Sequence, residues 1–130
     1  MSETWPDTGP RHIERWICGT TVVELSGEID ILTAPSVSAH LDALTACPHP
    51  DLVVDLRTVS FIDCSGLSTL CRARKRALEQ RGRLRLVADS ARFLRILRYA
   101  GLSGVFEVHR RLSEALAGTP RQSVVPAAAR

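Results

Sequence analysis

A short run of almost wholly apolar residues, 52–56, constrains the fold of this chain more than any other stretch. The run reads Leu, Val, Val, Asp, Leu, and its length and β-branched content are typical of a buried strand. A strand without regular polar alternation suits the centre of a parallel sheet, where both faces are covered. The sequence therefore predicts an α/β protein with this strand inside its sheet.

Apolar periodicity predicts further strands and helices on both sides of the central strand. The predicted strands are residues 12–18, 21–25, 52–56, 84–88 and 105–108. The predicted helices begin near residues 34, 67, 91 and 112 and stop near 47, 82, 101 and 118. Residues 26–30 are expected to leave the sheet, and the residues after 56 to form a loop. The order β-β-α-β-α-β-α-β-α predicts one mixed sheet of about four to five strands with four helices packed against it.

Ser65 stands where that loop meets the second helix, and three interpretations of it remain open. It could be a simple helix cap, because serine is a preferred residue there. It could be a nucleophile, but no Gly-x-Ser-x-Gly motif surrounds it and nothing places any of the four histidines nearby. It could also accept a phosphate from another protein, since a helix N-terminus favours an added phosphate. Asp63 would give this loop an acidic rim.

Most enzyme classes find no support in the sequence. There is no Walker loop, no Gly-x-Gly-x-x-Gly and no His-Glu-x-x-His. Asp63 could form a carboxylate pair with Asp30 or Asp55, but the sequence does not set their separation. The cysteines at 18, 47, 64 and 71 lack zinc-ligand spacing. We therefore predict a protein that is not an enzyme, binds no metal or cofactor, and keeps free thiols in a reducing cytoplasm.

The formal net charge is +3, and the basic residues are almost all arginine. A dense basic stretch holds Arg72, Arg74, Lys75, Arg76, Arg81, Arg83 and Arg85. It could be a solvated helix face with strand ends, or a surface for an acidic protein partner. Direct nucleic-acid binding is not expected, because no aromatic residues interleave with the charges. No apolar run is long enough to enter a membrane.

Three motifs resemble those of STAS domains, specifically the bacterial anti-sigma-factor antagonists. The first is Asp63-Cys64-Ser65-Gly66-Leu67 after an apolar strand, similar to the family's phosphorylation loop. The second is Leu25-Ser26-Gly27-Glu28-Ile29-Asp30 followed by Thr33-Ala34-Pro35, similar to an early turn and helix start. The third is Tyr99-Ala100-Gly101-Leu102, similar to a late helix end. Cys64 departs from the pattern, since many relatives carry a second serine there.

The resemblance implies a fold, a function and a site. It covers a domain of residues 11–117, flanked by a flexible leader, 1–10, and a disordered tail, 118–130. The unphosphorylated protein would bind an anti-sigma factor of the serine-kinase type and so release the sigma factor. That kinase would phosphorylate Ser65, ending the complex, and a serine phosphatase would restore it. The implied partner-binding residues are Asp30, Asp63, Cys64, Ser65 and Gly66. The alternative is a STAS accessory or scaffold subunit, of a transport system or signalling complex, without a phosphorylation cycle.

Overall fold

The computed structural model describes residues 11–117, which form one five-stranded mixed sheet and four helices. The strands run in the order β1-β2-β3-β4-β5; β1 is antiparallel to β2, and the other neighbours are parallel. The elements are β1 (Arg11–Ile17), β2 (Thr20–Ile29), α1 (Ala34–Leu44), β3 (Asp51–Ile62), α2 (Cys64–Glu79), β4 (Arg83–Val87), α3 (Ala91–Tyr99), β5 (Glu107–His109) and α4 (Leu112–Ala117). The predicted fold class and element order are confirmed. The predicted leader and tail lie outside the described residues.

The strands β2 and β3 are longer than the sequence predicts. Residues 26–29 stay in the sheet, and β3 continues through residues 57–62, where a loop was expected. The two extensions pair with each other in parallel, but the register shifts twice along them. Gly27 sits at one of these shifts with φ +85°, a backbone conformation that suits glycine. These irregularities break the regular alternation of side chains between the two sheet faces. The sequence of the two extensions therefore lacks the apolar–polar alternation by which strands are predicted.

The two faces of the sheet are covered unequally. The main core lies on one face, where α1, α2 and α3 pack on residues such as Val23, Val54 and Leu86. A smaller cluster on the opposite face joins Val22, Val53 and Val87 to Ala115 of α4. Because Val53 and Val54 are both fully buried on opposite faces, the central position predicted for this strand is confirmed.

The helix α4 is fixed to the sheet by a buried polar cluster that we call the α4 anchor, made of Thr20, Asp51, Arg85 and the Ala115 carbonyl. The Arg85 guanidinium donates to the Ala115 carbonyl oxygen and to the Asp51 carboxylate. The Thr20 hydroxyl donates to the other Asp51 oxygen at 3.1 Å. Arg85 has 0% exposure, so its place in a solvated basic stretch was wrongly predicted. Burial lowers the pKa of Arg85, and the Asp51 carboxylate opposes that shift.

One helix end differs from the sequence pattern, and a serine cap sets the start of another helix. The helix α2 ends at Glu79, before Gly82, where a Cβ would lie 2.1 Å from the Pro50 carbonyl oxygen. The Gly82 position therefore reflects close packing rather than the helix end itself. The helix α3 begins at a cap, because the Ser90 hydroxyl oxygen accepts from the Phe93 N–H at 3.2 Å.

Candidate functional site

The site predicted from the sequence lies where β2 and β3 end. Ile29 and Ile62 are register partners, and the Asp63 N–H donates to the Ile29 carbonyl oxygen at 3.2 Å. Because the strands are parallel, the segments that follow them emerge at the same sheet edge. We call residues 30–33 and 63–66 together the acceptor edge. It brings Asp30 into the neighbourhood of the segment that carries Ser65.

Asp63, and not Ser65, caps α2. Its backbone is extended, and its carboxylate Oδ1 accepts from the N–H groups of Ser65 at 2.9 Å and Gly66 at 3.1 Å. The helix begins at Cys64, three residues earlier than the apolar pattern indicated, so Ser65 is its second residue. The cap interpretation of Ser65 is therefore wrong. The Asp63 carboxylate pairs two backbone N–H groups that the helix itself leaves without acceptors, so the Ser65 side chain is not needed as a cap.

Gly66 allows the start of α2 to lie directly against the two strand ends. A Cβ at this position would stand 2.5 Å from Ile62 Cγ1 and 2.9 Å from the Ile29 carbonyl oxygen. Both distances are well below van der Waals contact, and one of the two atoms belongs to the backbone. Glycine at 66 therefore sets the depth at which the neighbouring Ser65 is held.

The Ser65 side chain is half-buried, and within residues 11–117 its hydroxyl has no hydrogen-bond partner. Only its backbone is engaged: its carbonyl oxygen accepts from the Thr69 hydroxyl at 3.0 Å. The described histidines are engaged elsewhere: His12 stacks on His40, His49 lies near the Arg81 carbonyl, and His109 pairs with Glu107. The nucleophile interpretation thus lacks its base, whereas a hydroxyl free to rotate suits a phosphate acceptor.

Asp30 builds the second segment of the acceptor edge. Its carboxylate Oδ1 accepts from the N–H groups of Leu32 at 3.0 Å and Thr33 at 3.1 Å. The Thr33 hydroxyl accepts from the Asp30 N–H and donates to the Glu28 carbonyl oxygen, both at 2.9 Å. Thr33 stands at the N-cap position of α1, but its side chain makes no capping hydrogen bond to the helix. It closes the turn instead.

Exposed apolar side chains at the acceptor edge were missed by the sequence analysis. Ile31 is 71% exposed and Leu32 is 85% exposed, directly beside Asp30. The sequence does contain a signal for them, because an isoleucine and a leucine stand next to each other in a segment expected to form a turn. Across the edge, Cys64 is exposed and lines a groove with Ser68, Cys71 and Leu102. Neighbouring exposed apolar side chains of this kind often occur at protein-binding surfaces.

The three carboxylates considered for an acid–base pair have separate structural partners. Asp30 and Asp63 each close their own turn. Asp55 is buried within β3 and forms a two-pronged ion pair with Arg57, at 3.0 and 2.7 Å. Among residues 11–117 there is no group of three or more His, Cys, Asp or Glu side chains arranged to hold a metal ion. No helix within that range has the length and apolar character needed to cross a membrane.

Comparison with known proteins gives consistent matches. The protein-family model described as STAS domain matches residues 15–115. The anti-sigma-F factor antagonist RsfB of Mycobacterium tuberculosis is 30% identical over 100 residues, which are 77% of this chain and 81% of RsfB.

Two solved structures share the fold. A crystal structure of an anti-sigma factor antagonist from Mycobacterium paratuberculosis superposes with a TM-score of 0.78 at 29% identity, covering 87% of this chain and 96% of that one. The Bacillus cell fate determinant SpoIIAA, solved in its phosphorylated form, superposes with a TM-score of 0.63 at 19% identity, covering 82% of this chain and 97% of that one. The identity to SpoIIAA is low, so this second likeness shows the fold alone.

Proposed function

The chain belongs to the STAS-domain family, and on that premise we propose that it is an anti-sigma factor antagonist. In its unphosphorylated form it binds an anti-sigma factor of the serine-kinase type in the cytoplasm and thereby frees a sigma factor. The kinase then transfers phosphate to Ser65, the complex dissociates, and a serine phosphatase resets the protein. The protein is thus a ligand and a substrate of its partners and performs no catalysis itself.

The free hydroxyl of Ser65 is the observation that carries this proposal. It lies at the second position of α2, held in place by Asp63 and Gly66 but making no side-chain hydrogen bond among the described residues. A phosphate added there meets the positive end of the helix dipole, so modification does not unfold α2. Phosphorylation therefore changes the surface that the partner meets while the fold is retained. The phosphorylated SpoIIAA structure is consistent with this, as a protein of the same fold.

The partner-binding residues have distinct roles in the proposal. Cys64 is exposed and Ser65 is partly exposed, so both side chains are accessible to the partner. Asp63 and Gly66 fix the shape of their segment through the cap and the close packing. Asp30 holds the neighbouring turn and adds negative charge to the same edge.

The size of the switch can be compared with the charge that a phosphate adds. Changing a complex from almost fully bound to almost fully free requires about 5.5 kcal/mol of differential affinity. A phosphate brings about −1.5 to −2 charges. One unit-charge repulsion at about 4 Å is worth about 1 kcal/mol in water and about 4 kcal/mol near a protein surface. Charge alone is marginal, so we propose that the phosphate also blocks the contact sterically.

The direct test is reconstitution with purified partners. Each serine-kinase-type anti-sigma factor encoded in the source genome is mixed with the protein, and binding is measured before and after ATP is added. We expect one of them to bind, to phosphorylate the protein and then to release it. Ser65→Ala should bind without being phosphorylated, whereas Ser68→Ala, which removes an exposed serine one turn further along α2, should be phosphorylated normally. Phosphorylation of Ser65→Ala at the wild-type rate would contradict the site assignment.

A second variant separates charge from shape. Ser65→Asp carries one negative charge but lacks the bulk of a phosphate. If Ser65→Asp binds the kinase as tightly as the wild type, the steric contribution dominates. If it does not bind at all, charge is sufficient and the steric part of the proposal is wrong.

A further inference from the structure

Four of the seven basic residues predicted as a stretch between 72 and 85 are paired with carboxylates, whereas Arg74, Lys75 and Arg81 have no ion pair among the described residues. Arg72 and Arg76 both contact the Asp42 carboxylate, at 3.0 and 3.3 Å. Arg83 pairs with Glu107 at 3.0 Å, and Arg85 is buried in the α4 anchor. These arginines hold the helix α1, the strand β5 and the helix α4 to their neighbours, so they do not form a free positive surface.

The helix α3 carries a row of exposed, unpaired positive charges. Arg92, Arg95 and Arg98 are all exposed, and within residues 11–117 none of them has an ion pair or a side-chain hydrogen bond. Their spacing of three places them along one side of the helix, opposite the buried Phe93 and Leu97. Tyr99, 82% exposed, stands at the end of the row. We call Arg92, Arg95, Arg98 and Tyr99 the α3 basic face.

The α3 basic face lies next to the acceptor edge. Arg92 lines a small cleft together with Phe61 and Ile62, the last residues of β3 before Asp63. At the other end of the helix, Ala100 lines the groove that also contains Cys64. The start of α3 therefore borders the end of β3 that leads into Asp63, and the residue that follows α3 borders the groove at Cys64. A partner that covers Ser65 would also meet this helix.

Resting on the function proposed above, we propose that the α3 basic face binds an acidic patch on the kinase partner and orients it toward Ser65. The acceptor edge bears Asp30 and Asp63, and Glu28 lies near the end of β2 just before it, so this side carries the opposite charge. The binding surface thus has a negative side at the β2–α1 turn and a positive side at α3. Such an arrangement is matched by a partner in one orientation only, because reversal places like charges together.

The sequence around α3 favours a protein partner over a nucleic acid. Proteins that bind single strands interleave basic residues with aromatic stacking platforms, whereas this face has one aromatic residue, at its end. The carboxylates of the acceptor edge would also repel a phosphate backbone that extended beyond α3. An acidic protein partner also explains part of the switch. Phosphate on Ser65 adds negative charge next to the α3 basic face, and this charge repels the acidic patch of the partner.

A charge-reversal pair with a matched control tests this proposal. Arg92→Glu with Arg95→Glu changes the α3 basic face, and Arg110→Glu with Arg111→Glu makes the same change in net charge just before α4. All four arginines are exposed and lack ion pairs within the described part of the chain, so both variants are expected to fold. Binding to the cognate kinase is measured by stopped flow at low and physiological salt.

We expect the α3 variant to associate with the kinase at least about tenfold more slowly at low salt, with a smaller salt dependence than the wild type. The control variant should stay within about twofold of the wild type. Equal slowing of both variants, or of neither, would overturn the proposal while leaving the phosphorylation of Ser65 intact. Binding of a DNA duplex by the wild type that the α3 variant alone loses would assign the face to nucleic acid instead. Absence of kinase binding by the wild type would instead count against the proposed function.

Discussion

The acceptor edge and the α4 anchor both use carboxylates to hold polar groups in place, but they do so over different distances along the chain. At the acceptor edge, Asp63 bonds to N–H groups two and three residues away. In the α4 anchor, Arg85 reaches Asp51, 34 residues away, and the Ala115 carbonyl, 30 residues away. The first set of bonds shapes one turn, whereas the second joins a helix to two strands.

This difference separates the acceptor edge, a surface that phosphorylation can alter, from the α4 anchor, which must stay intact for the protein to remain folded. Bonds within one turn persist when a partner leaves or a phosphate is added, because they depend on no distant segment. When one partner of a buried ion pair between distant segments is removed, the free energy of unfolding falls much more. Polar residues at the two places therefore look alike in the sequence but should respond very differently to substitution.

The largest effect is expected in the α4 anchor. Arg85→Met leaves the Asp51 carboxylate without its cation and the Ala115 carbonyl without its donor. Breaking such a pair typically costs about 3–5 kcal/mol of the free energy of unfolding. Arg83→Met, which breaks the exposed pair with Glu107, should cost about 1 kcal/mol or less. Urea unfolding followed by circular dichroism measures both, and equal losses would remove the distinction between the two regions.

The next largest effect is expected at Gly66. Gly66→Ala places a methyl group 2.5 Å from Ile62 Cγ1, which forces α2 away from the strand ends. Such overpacking costs about 1–3 kcal/mol and should slow the phosphorylation of Ser65 by displacing it. Gly104→Ala is the control, because nothing lies within 4 Å of the added Cβ there. A Gly66→Ala protein with wild-type stability and phosphorylation rate would show that the close packing does not position Ser65.

Asp63 should give a moderate effect on stability and a separable effect on binding. Asp63→Ala removes the acceptor for two N–H groups and should cost about 1 kcal/mol. Asp63→Asn keeps an acceptor oxygen and should recover most of that loss. If Asp63→Asn is stable yet binds the kinase weakly, the carboxylate charge itself contacts the partner. Ser90→Ala, which uncaps α3, gives the reference value for one lost cap in this protein.

The smallest effect is expected at the exposed Asp42–Arg72 pair, and it should depend on pH. The hydrogen bond from Arg72 lowers the pKa of Asp42, which burial opposes to a smaller extent. A lowered folded-state pKa means that the contribution is present above the ordinary carboxyl pKa and disappears as the pH falls through the lowered value. The difference in the free energy of unfolding between the wild type and Asp42→Asn should therefore shrink below about pH 4. A difference that grows on acidification would contradict this.

The sequence predicted the order of elements and the position of Ser65, because apolar periodicity and the motif spacing are local signals. It missed the cap at Asp63, since Asp63 and Ser65 are both good capping residues and only the backbone decides between them. It also missed the buried Arg85, which appeared to belong to an exposed basic stretch. Ion pairs between residues 30 or more positions apart leave no local pattern, so the free arginines of α3 could not be told from the paired ones.

The proposed switch depends most on the phosphorylation of Ser65 in the cell. The direct measurement is intact-mass spectrometry with peptide mapping of the protein purified from its own cells at several growth phases and under stress. We predict a partly phosphorylated population with the phosphate on Ser65 and none on the nearby serines 60 and 68. A protein that carries no phosphate on Ser65 under any of these conditions would contradict the switch and favour a STAS subunit without a phosphorylation cycle.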